Sequence, residues 1–553
     1  MKEYGYFRNQ GSEFVITTPH TPRHWYNYLY NDSYITFTSQ VGYGESLIQG
    51  HLGRRILLAD SRQVYILDTE SGQYWTANGL PVKKEYQDFS CVHGIGYTEI
   101  FSQYMGISSS FRIFVPQDAN EEIWSIKVKN TSNRIRTIKV IPYAKTETDG
   151  VYRPQGYNVD TAGFRPELNG VATRSYAKIQ SENFQEVSAY FLADREVSGY
   201  DTRKNAFIGT YGNEQEPDAL AMGGCTGSCC IGEKICLALE HTVTLKPGED
   251  AQFHYALGVA LASGELEEAA RRNNARTVEQ RLMDVREQYA AQENGVTIRT
   301  PDESLNCLIN FWTKHQTNMG SRWARVRHNG YRDMVSDSEC LASFNPQLAW
   351  ERFKRALTFQ YSNGYAPRTW LDGEIRDNNF ADCAVWIPMA AASIIEELGD
   401  VKCLEESVPF NDGSEASVYE HVKRAVDFLW DFRGIHGLVK LWGGDWNDMM
   451  NQAGLEGKGS SVWLSLAWCR ANERFGALAL ALDRKEDLFF SRLRGQEMKD
   501  IINETGWDGE YYIDAFNDQG EPLGSMSCRE GKIYLIPQLW AVLAQVAEGE
   551  IKQ

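Results

Sequence analysis

The chain has 553 residues, enough for two or more domains with well-buried cores. Its net charge of -18 excludes a polyanionic partner such as nucleic acid, which requires clustered Lys and Arg. An acidic enzyme acting on a neutral substrate fits, and the 15 Trp and 28 Tyr supply stacking surfaces as well as core.

Met1 to Gln10 contains no apolar signal-type core, and no run approaches the ~20 apolar residues of a membrane span, so a cytoplasmic protein is expected. Eleven dispersed cysteines read as reduced thiols. Among them Cys225, Cys229, Cys230 and Cys236 lie close in sequence, but without paired C-x-x-C spacing or a nearby His. They point to a Gly/Ser-rich loop between strands, and no metal site is expected.

Residues 1–262 carry a strand period. Trp124, Ile126 and Val128 alternate with polar residues, and Asn130-Thr131-Ser132-Asn133 then turns the chain toward Ile138 and Val140, a hairpin pattern. The period returns at Phe253, Tyr255, Leu257 and Val259. Many such segments predict a large antiparallel β-sandwich. Residues 263–299 change character: Glu265, Glu267, Glu268, Arg271, Arg272 and Arg281 form a charged helical linker. From 300 to 553 the period is helical. Leu305, Leu308, Ile309 and Trp312 make one stripe, Leu348, Phe353, Ala356 and Leu357 a second, and Val418, Val422, Ala425, Val426 and Leu429 a third. Further helices are predicted near 380–398, 461–482 and 533–547. This is an all-α domain of antiparallel hairpins whose loops can build a cleft.

Three loops carry candidate chemistry. Gly443-Gly444-Asp445-Trp446-Asn447-Asp448 combines two carboxylates with an indole. The Trp face suits a pyranose, Asp and Asn suit its hydroxyls, and one protonated carboxyl can donate to a glycosidic oxygen. The same residues also serve simply as a helix-starting turn. Arg325-Val326-Arg327-His328-Asn329-Gly330-Tyr331-Arg332-Asp333 places cations beside Asp333, which suits sugar hydroxyls or a phosphate, or else forms a solvated basic loop. In the stretch from Asp372 to Asp382, Asp382 stands one helical turn before Trp386, which is equally the start of a capped helix. No serine elbow, Walker loop, zinc-protease motif or dinucleotide fingerprint is present, so carboxylates are the available chemical tools.

These motifs, in their order, resemble those of the inverting phosphorylases of glycoside hydrolase family 94. The resemblance extends to Tyr4-Gly5-Tyr6-Phe7, Trp25-Tyr26-Asn27-Tyr28-Leu29, His93-Gly94-Ile95-Gly96-Tyr97-Thr98, Glu456-Gly457-Lys458-Gly459 and Pro537-Gln538-Leu539-Trp540. It implies a β-sandwich, a helical linker and an (α/α)6 barrel. It implies Asp448 as general acid and Trp446 as a sugar contact, with Arg327 and Asp333 gripping the non-reducing-end sugar. Asp445 and Arg332 complete the substrate-binding set, Asp445 shaping the loop with Asn447. Inorganic phosphate would be the co-substrate, with no cofactor, acting on a β-linked gluco- or N-acetylgluco-oligosaccharide to release an α-sugar 1-phosphate.

Asp448 would then have to be held protonated, by desolvation against Trp446 and repulsion from Asp445. The resemblance also implies a longer chain. The last barrel helices and a phosphate-binding His would follow position 553, so the barrel is expected to be incomplete. The expected protein partner is a second copy in a homodimer, or a separate chain that supplies the missing C-terminal part. Two alternatives remain at this point. One is an inverting hydrolase using Asp333 or Asp382 as base, and the other is a sugar-binding relative, or part of a split enzyme, without turnover.

Overall fold

The computed structural model describes residues 4–48, 54–57, 62–146, 160–177, 185–293, 295–324, 329–371, 374–376, 379–434 and 436–547. The chain forms two compact units, Met1–Val326 and Arg327–Gln553.

In the first unit, an antiparallel sheet runs from Gly5–Arg8 at one edge through Tyr97–Tyr104, Ile107–Phe114, Glu121–Asn130 and Asp250–Ala260 to Cys230–Ile231 at the other. A second sheet is centred on Arg136–Ala144, flanked by Ile235–Leu245 and Gln63–Asp68. Their inner faces share one core, in which Phe111, Trp124, Phe191 and Tyr255 meet Ile66, Val140 and Leu239. Phe111 and Phe191 set their rings 5.2 and 5.1 Å from Trp124, within the range of favourable aromatic pairs.

The predicted hairpin between Trp124 and Val140 is not one. Glu121–Asn130 pairs with Ile107–Phe114 and Asp250–Ala260, whereas Arg136–Ala144 belongs to the other sheet. Asn130 holds the crossing: its Nδ2 donates to Arg134 O at 2.7 Å and Leu245 O at 2.9 Å, and its Oδ1 accepts from Ser132 N at 3.0 Å. The alternation marked the pleat correctly, but both strands point their apolar face at one core from opposite sides, which a local pattern cannot distinguish from side-by-side pairing.

The charged linker forms helices α1 (Glu265–Arg272) and α2 (Ala275–Glu293). Buried Arg281 ties α2 to the sandwich through Asp118 and Glu121, both at 2.6 Å. Helix α3 (Thr313–Trp323) also belongs to this unit. Met319 and Trp323 join an apolar cluster with Tyr30, Val285 and Tyr289, and polar bonds add to it: His315 Nε2 donates to Tyr28 O at 3.0 Å and Trp323 Nε1 to Asn31 O at 2.8 Å. The first predicted apolar stripe is thus corrected in part: Ile309 is half-buried and Trp312 packs, partly buried, against this cluster. Leu305 and Leu308 are exposed, and the buried side chains are Lys314, His315, Asn318, Met319 and Trp323.

The second unit is helical. Its longer described helices are α4 (Tyr331–Leu341), α5 (Pro346–Leu357), α6 (Trp386–Leu398), α7 (Val418–Asp431), α8 (Val462–Ala481), α9 (Lys485–Thr505) and α10 (Leu535–Leu543). Local signals set their ends. Asn345 caps α5 with Pro346 in its first turn, Ser417 accepts from Glu420 N to start α7, and Gly399 ends α6 in the left-handed region at φ +69°. The second and third predicted stripes face the core, except that Leu348 is only partly buried. Helix α8 is buried on nearly all sides, with α6, α7, α9 and α10 around it. No helix among the described residues is long and apolar enough to cross a membrane. All eleven cysteines are free thiols.

Candidate active site

The Gly443–Asp448 segment runs beside residues 379–381. Gly443 N donates to Asn379 O at 2.9 Å, and Ala381 N donates to Gly444 O at 3.1 Å. Gly444 has φ +137°, and a Cβ there would lie 2.7 Å from the Phe380 ring, so both its conformation and this close approach require glycine. Asn447 then caps a short turn, Asp448–Met450, by accepting from Met449 N at 3.2 Å. The helix-starting role is therefore real, and it coexists with an arrangement that capping does not explain.

That arrangement is built around two guanidinium groups. Arg332, in the first turn of α4, donates from Nη2 to Asp448 Oδ1 at 2.9 Å and from Nη1 to Asp382 Oδ2 at 2.9 Å and Asp445 O at 3.2 Å. Arg368 Nη2 reaches the same Asp448 oxygen at 3.0 Å, with its guanidinium stacked 3.7 Å above the Phe380 ring. Asp382 is fully buried, and it also lies 3.5 Å from Trp386 Nε1. Burial raises its pKa while Arg332 opposes the rise. Burial works against the Arg332 charge, but Asp382 and Asp448 outweigh it and push the guanidinium pKa up.

The two carboxylates of the loop have opposite surroundings. Asp448 has a half-exposed side chain (51%), whereas Asp445 is 2% exposed. Asp445 Oδ2 accepts from Ser461 Oγ at 2.6 Å and its Oδ1 from Asn447 N at 2.8 Å. Burial pushes the Asp445 pKa up to about 7. Asp514 and Asp382 add to the rise, and the two hydrogen bonds oppose it. The desolvation expected at Asp448 thus falls on Asp445 instead, because the turn after Trp446 carries position 448 out to solvent. Trp446 is itself 44% exposed and stands 6.4 Å from Trp463, which continues the aromatic cluster to Trp540 at 5.7 Å and Trp386 at 6.3 Å.

The structure therefore brings Arg332, Asp445, Trp446 and Asp448 together. Asp333 lies in the same turn of α4 as Arg332, but its carboxylate folds back over Gly330, where any side chain would collide with it. Arg327, with Arg325 and His328, lies outside the described residues. Sequence reasoning missed Arg368, Phe380, Ser461 and Asp514. Nothing local marks Arg368, whereas Tyr511-Tyr512-Ile513-Asp514 repeats the aromatic-plus-acid composition of the recognised loop. The described residues contain no group of three His, Cys, Asp or Glu side chains placed to hold a metal.

Residues 12–281 match the family model described as glycosyl hydrolase 94, supersandwich domain, and residues 290–553 match that of the glycosyl hydrolase 94 superfamily, catalytic domain. The chain belongs to glycoside hydrolase family 94. Within the family it is 33% identical to solabiose phosphorylase of Paenibacillus borealis, over 100% of this chain and 73% of that protein. It is 31% identical to 3-O-beta-D-glucopyranosyl-beta-D-glucuronide phosphorylase of the same organism, over 99% of this chain and 72% of that protein. A bacterial glucoamylase complexed with acarbose shares the fold at TM-score 0.52 and 10% identity, covering 92% of this chain and 73% of that one. The expected N-terminal antiparallel sandwich and (α/α)6-type helical domain are borne out, and the chain is an enzyme of the glycoside phosphorylase class.

Proposed function

We propose that this family member carries out inverting phosphorolysis of a β-linked gluco- or N-acetylgluco-oligosaccharide, with Asp448 as the proton donor. The observation that carries this reading is the half-exposed Asp448 carboxyl on one loop with the exposed Trp446 ring, faced by Arg332 and Arg368. A phosphate oxygen forms the new bond to the anomeric carbon as the glycosidic C–O bond breaks, and the Asp448 proton passes to the leaving oxygen. Phosphate is already an anion at neutral pH, so no carboxylate base is required to activate it. The charge left on Asp448 is met by two guanidinium groups at 2.9 and 3.0 Å. Single displacement inverts the anomeric centre and yields an α-sugar 1-phosphate. Arg327, Asp333 and Arg332 are proposed as donor-sugar contacts, with Trp446 stacking on the ring.

The buried, Arg332-paired state of Asp382 argues against its activating water, which disfavours the hydrolase reading with Asp382, though not with Asp333, as base. The glucopyranosyl unit named in the Paenibacillus borealis glucuronide enzyme supports a β-glucosyl donor. No cofactor is proposed. A cytoplasmic location is proposed, with a homodimer or a separate chain as the protein partner. The test is to incubate the protein with β-linked gluco- and N-acetylgluco-disaccharides, with and without phosphate, and follow products by NMR. An α-sugar 1-phosphate formed only with phosphate is expected. Cleavage that ignores phosphate would overturn the reading, and sugar binding without any product would favour a non-catalytic role.

A further inference from the structure

Both guanidinium groups that meet Asp448 are braced by one short stretch, residues 380–382, which is itself bound to the acid-bearing loop. Phe380 forms a β-bridge with Trp442, its ring packs against Gly444, and Ala381 N donates to Gly444 O at 3.1 Å. Backbone pairing sets the two arginines side by side. Asn329 and Gly330 pair with Trp370 and Thr369, and Tyr331 N donates to Arg368 O at 2.9 Å. Arg368 then lies on the Phe380 ring at 3.7 Å, whereas Arg332 is held by charge, through Asp382 Oδ2 at 2.9 Å.

Asp382, Arg332 and Asp448 form a relay from core to solvent, with side chains 0%, 19% and 51% exposed. A guanidinium is planar and rigid, so fixing one of its terminal nitrogens sets the direction of the other. Nη1 is fixed on the buried Asp382 carboxylate, and Nη2 is thereby aimed at Asp448 Oδ1, 2.9 Å away. Without Asp382, Nη1 would keep only the longer contact to Asp445 O at 3.2 Å, and the guanidinium would be free to turn.

We propose that Asp382 is a positioning residue for the proton donor, acting through the Arg332 guanidinium to hold the Asp448 carboxyl against the leaving oxygen. This rests on the reading of Asp448 given above. The anchor requires an acceptor oxygen at position 382 and not a charge, so an amide should serve nearly as well. Because what is placed is the acid, the effect depends on the leaving group. A sugar oxygen needs the Asp448 proton in order to depart, whereas a dinitrophenolate leaves as a stable anion and takes none.

The experiment compares Asp382→Ala, Asp382→Asn, Arg332→Lys and Asp448→Asn with the parent on two donors that share one glycosyl unit. These are a β-linked disaccharide and the dinitrophenyl β-glycoside, each with inorganic phosphate, and kcat and KM are recorded for both. Because a misplacement of about 1 Å costs on the order of 10²-fold in rate, Asp382→Ala should lower the disaccharide kcat by about 10- to 100-fold with each KM within about threefold of the parent. Its kcat on the dinitrophenyl glycoside should stay within about threefold. Asp382→Asn should recover most of the disaccharide loss. Equal losses on the two donors would mark a merely structural ion pair and overturn the inference. So would a parent-like disaccharide kcat in Asp382→Ala or a loss confined to KM. If Asp382→Ala does not fold, Asp382→Asn and Arg332→Lys carry the test, since Lys keeps the charge but cannot fork between two carboxylates. A near-parent disaccharide kcat in the first with a disaccharide-selective loss in the second supports the inference, and any other pairing overturns it. Disaccharide turnover surviving in Asp448→Asn would sink the assignment of the acid itself, a failure separable from one confined to Asp382.

Discussion

Two ion-pair networks in this chain use the same chemistry in opposite settings. Inside the sandwich, Arg62 and Glu122 meet at 2.7 Å with both side chains fully buried. Glu122 also accepts from Trp124 Nε1 at 2.8 Å and Ser46 Oγ at 2.8 Å, while Arg62 donates to Thr36 and Ser46. In the helical unit, Arg332 and Arg368 share one oxygen of a carboxylate that is 51% exposed. The first network is sealed, so its value lies in pairing each buried charge with its opposite; one guanidinium nitrogen, Arg62 Nη1, has no hydrogen-bond partner among the described residues. The second is open, and its carboxylate can exchange a guanidinium for a ligand without first opening the fold. The two networks share the ion pair and differ in exposure, so the role proposed for Asp448 rests on its exposure.

That contrast can be broken at either end. The largest effect is expected from Asp448→Asn, which in the proposed mechanism removes the transferable proton. Turnover should fall by about 10³- to 10⁴-fold, at the upper end of what a general acid contributes, while the thermal midpoint moves little. Substantial residual phosphorolysis would show that Asp448 is only another surface ion-pair partner. Next in size is Arg62→Met, which leaves Glu122 buried and uncompensated. A loss of about 3 to 5 kcal/mol in urea unfolding is expected, with the activity of the remaining folded protein unchanged. A loss below ~1 kcal/mol would mean that water reaches Glu122 and that the network is not sealed.

Much of this was legible in the residues, and what was not has physical causes. The sandwich and the helical half follow from hydrophobic period, because each element buries one face, and the linker follows from its charge. The Trp124-to-Val140 connection was misread because a strand's alternation records which face is buried and not which strand lies beside it. The stripe at Leu305–Trp312 misled for a related reason: that stretch and the helix after it use ring and indole N–H groups to bind sandwich carbonyls, leaving Leu305 and Leu308 outside. At the site, Asp445, Trp446 and Asp448 were found because they are adjacent in the chain. Arg368 and Asp514 were not, because only folding brings them to that loop. Asp382 was read as either a helix cap or a functional group; its carboxylate faces Arg332 and does not cap α6, which removes the first reading without establishing the second.

The smallest predicted effect tests the division of labour within the acid loop itself. Asp445 is buried and its pKa is pushed to about 7, above the ordinary carboxyl value it has in the unfolded chain. Between pH ~4 and ~7 the folded state therefore binds this proton more tightly than the unfolded state does. The stability that protonated Asp445 contributes is complete below about pH 4, declines as pH rises toward 7, and is gone above it. Asp445→Asn keeps the size and shape of the protonated carboxyl without a charge, and its amide oxygen can still accept a hydrogen bond in this site. The variant should match the parent below pH ~4 and become progressively more stable relative to it up to pH ~7, by about 1 to 2 kcal/mol at pH 8. Urea unfolding of both proteins at pH 4, 6 and 8 reads the difference directly. A constant offset at all three values would mean that Asp445 ionises alike in the folded and unfolded chain. The contrast between a desolvated Asp445 and a solvent-facing Asp448 would then lose its electrostatic basis.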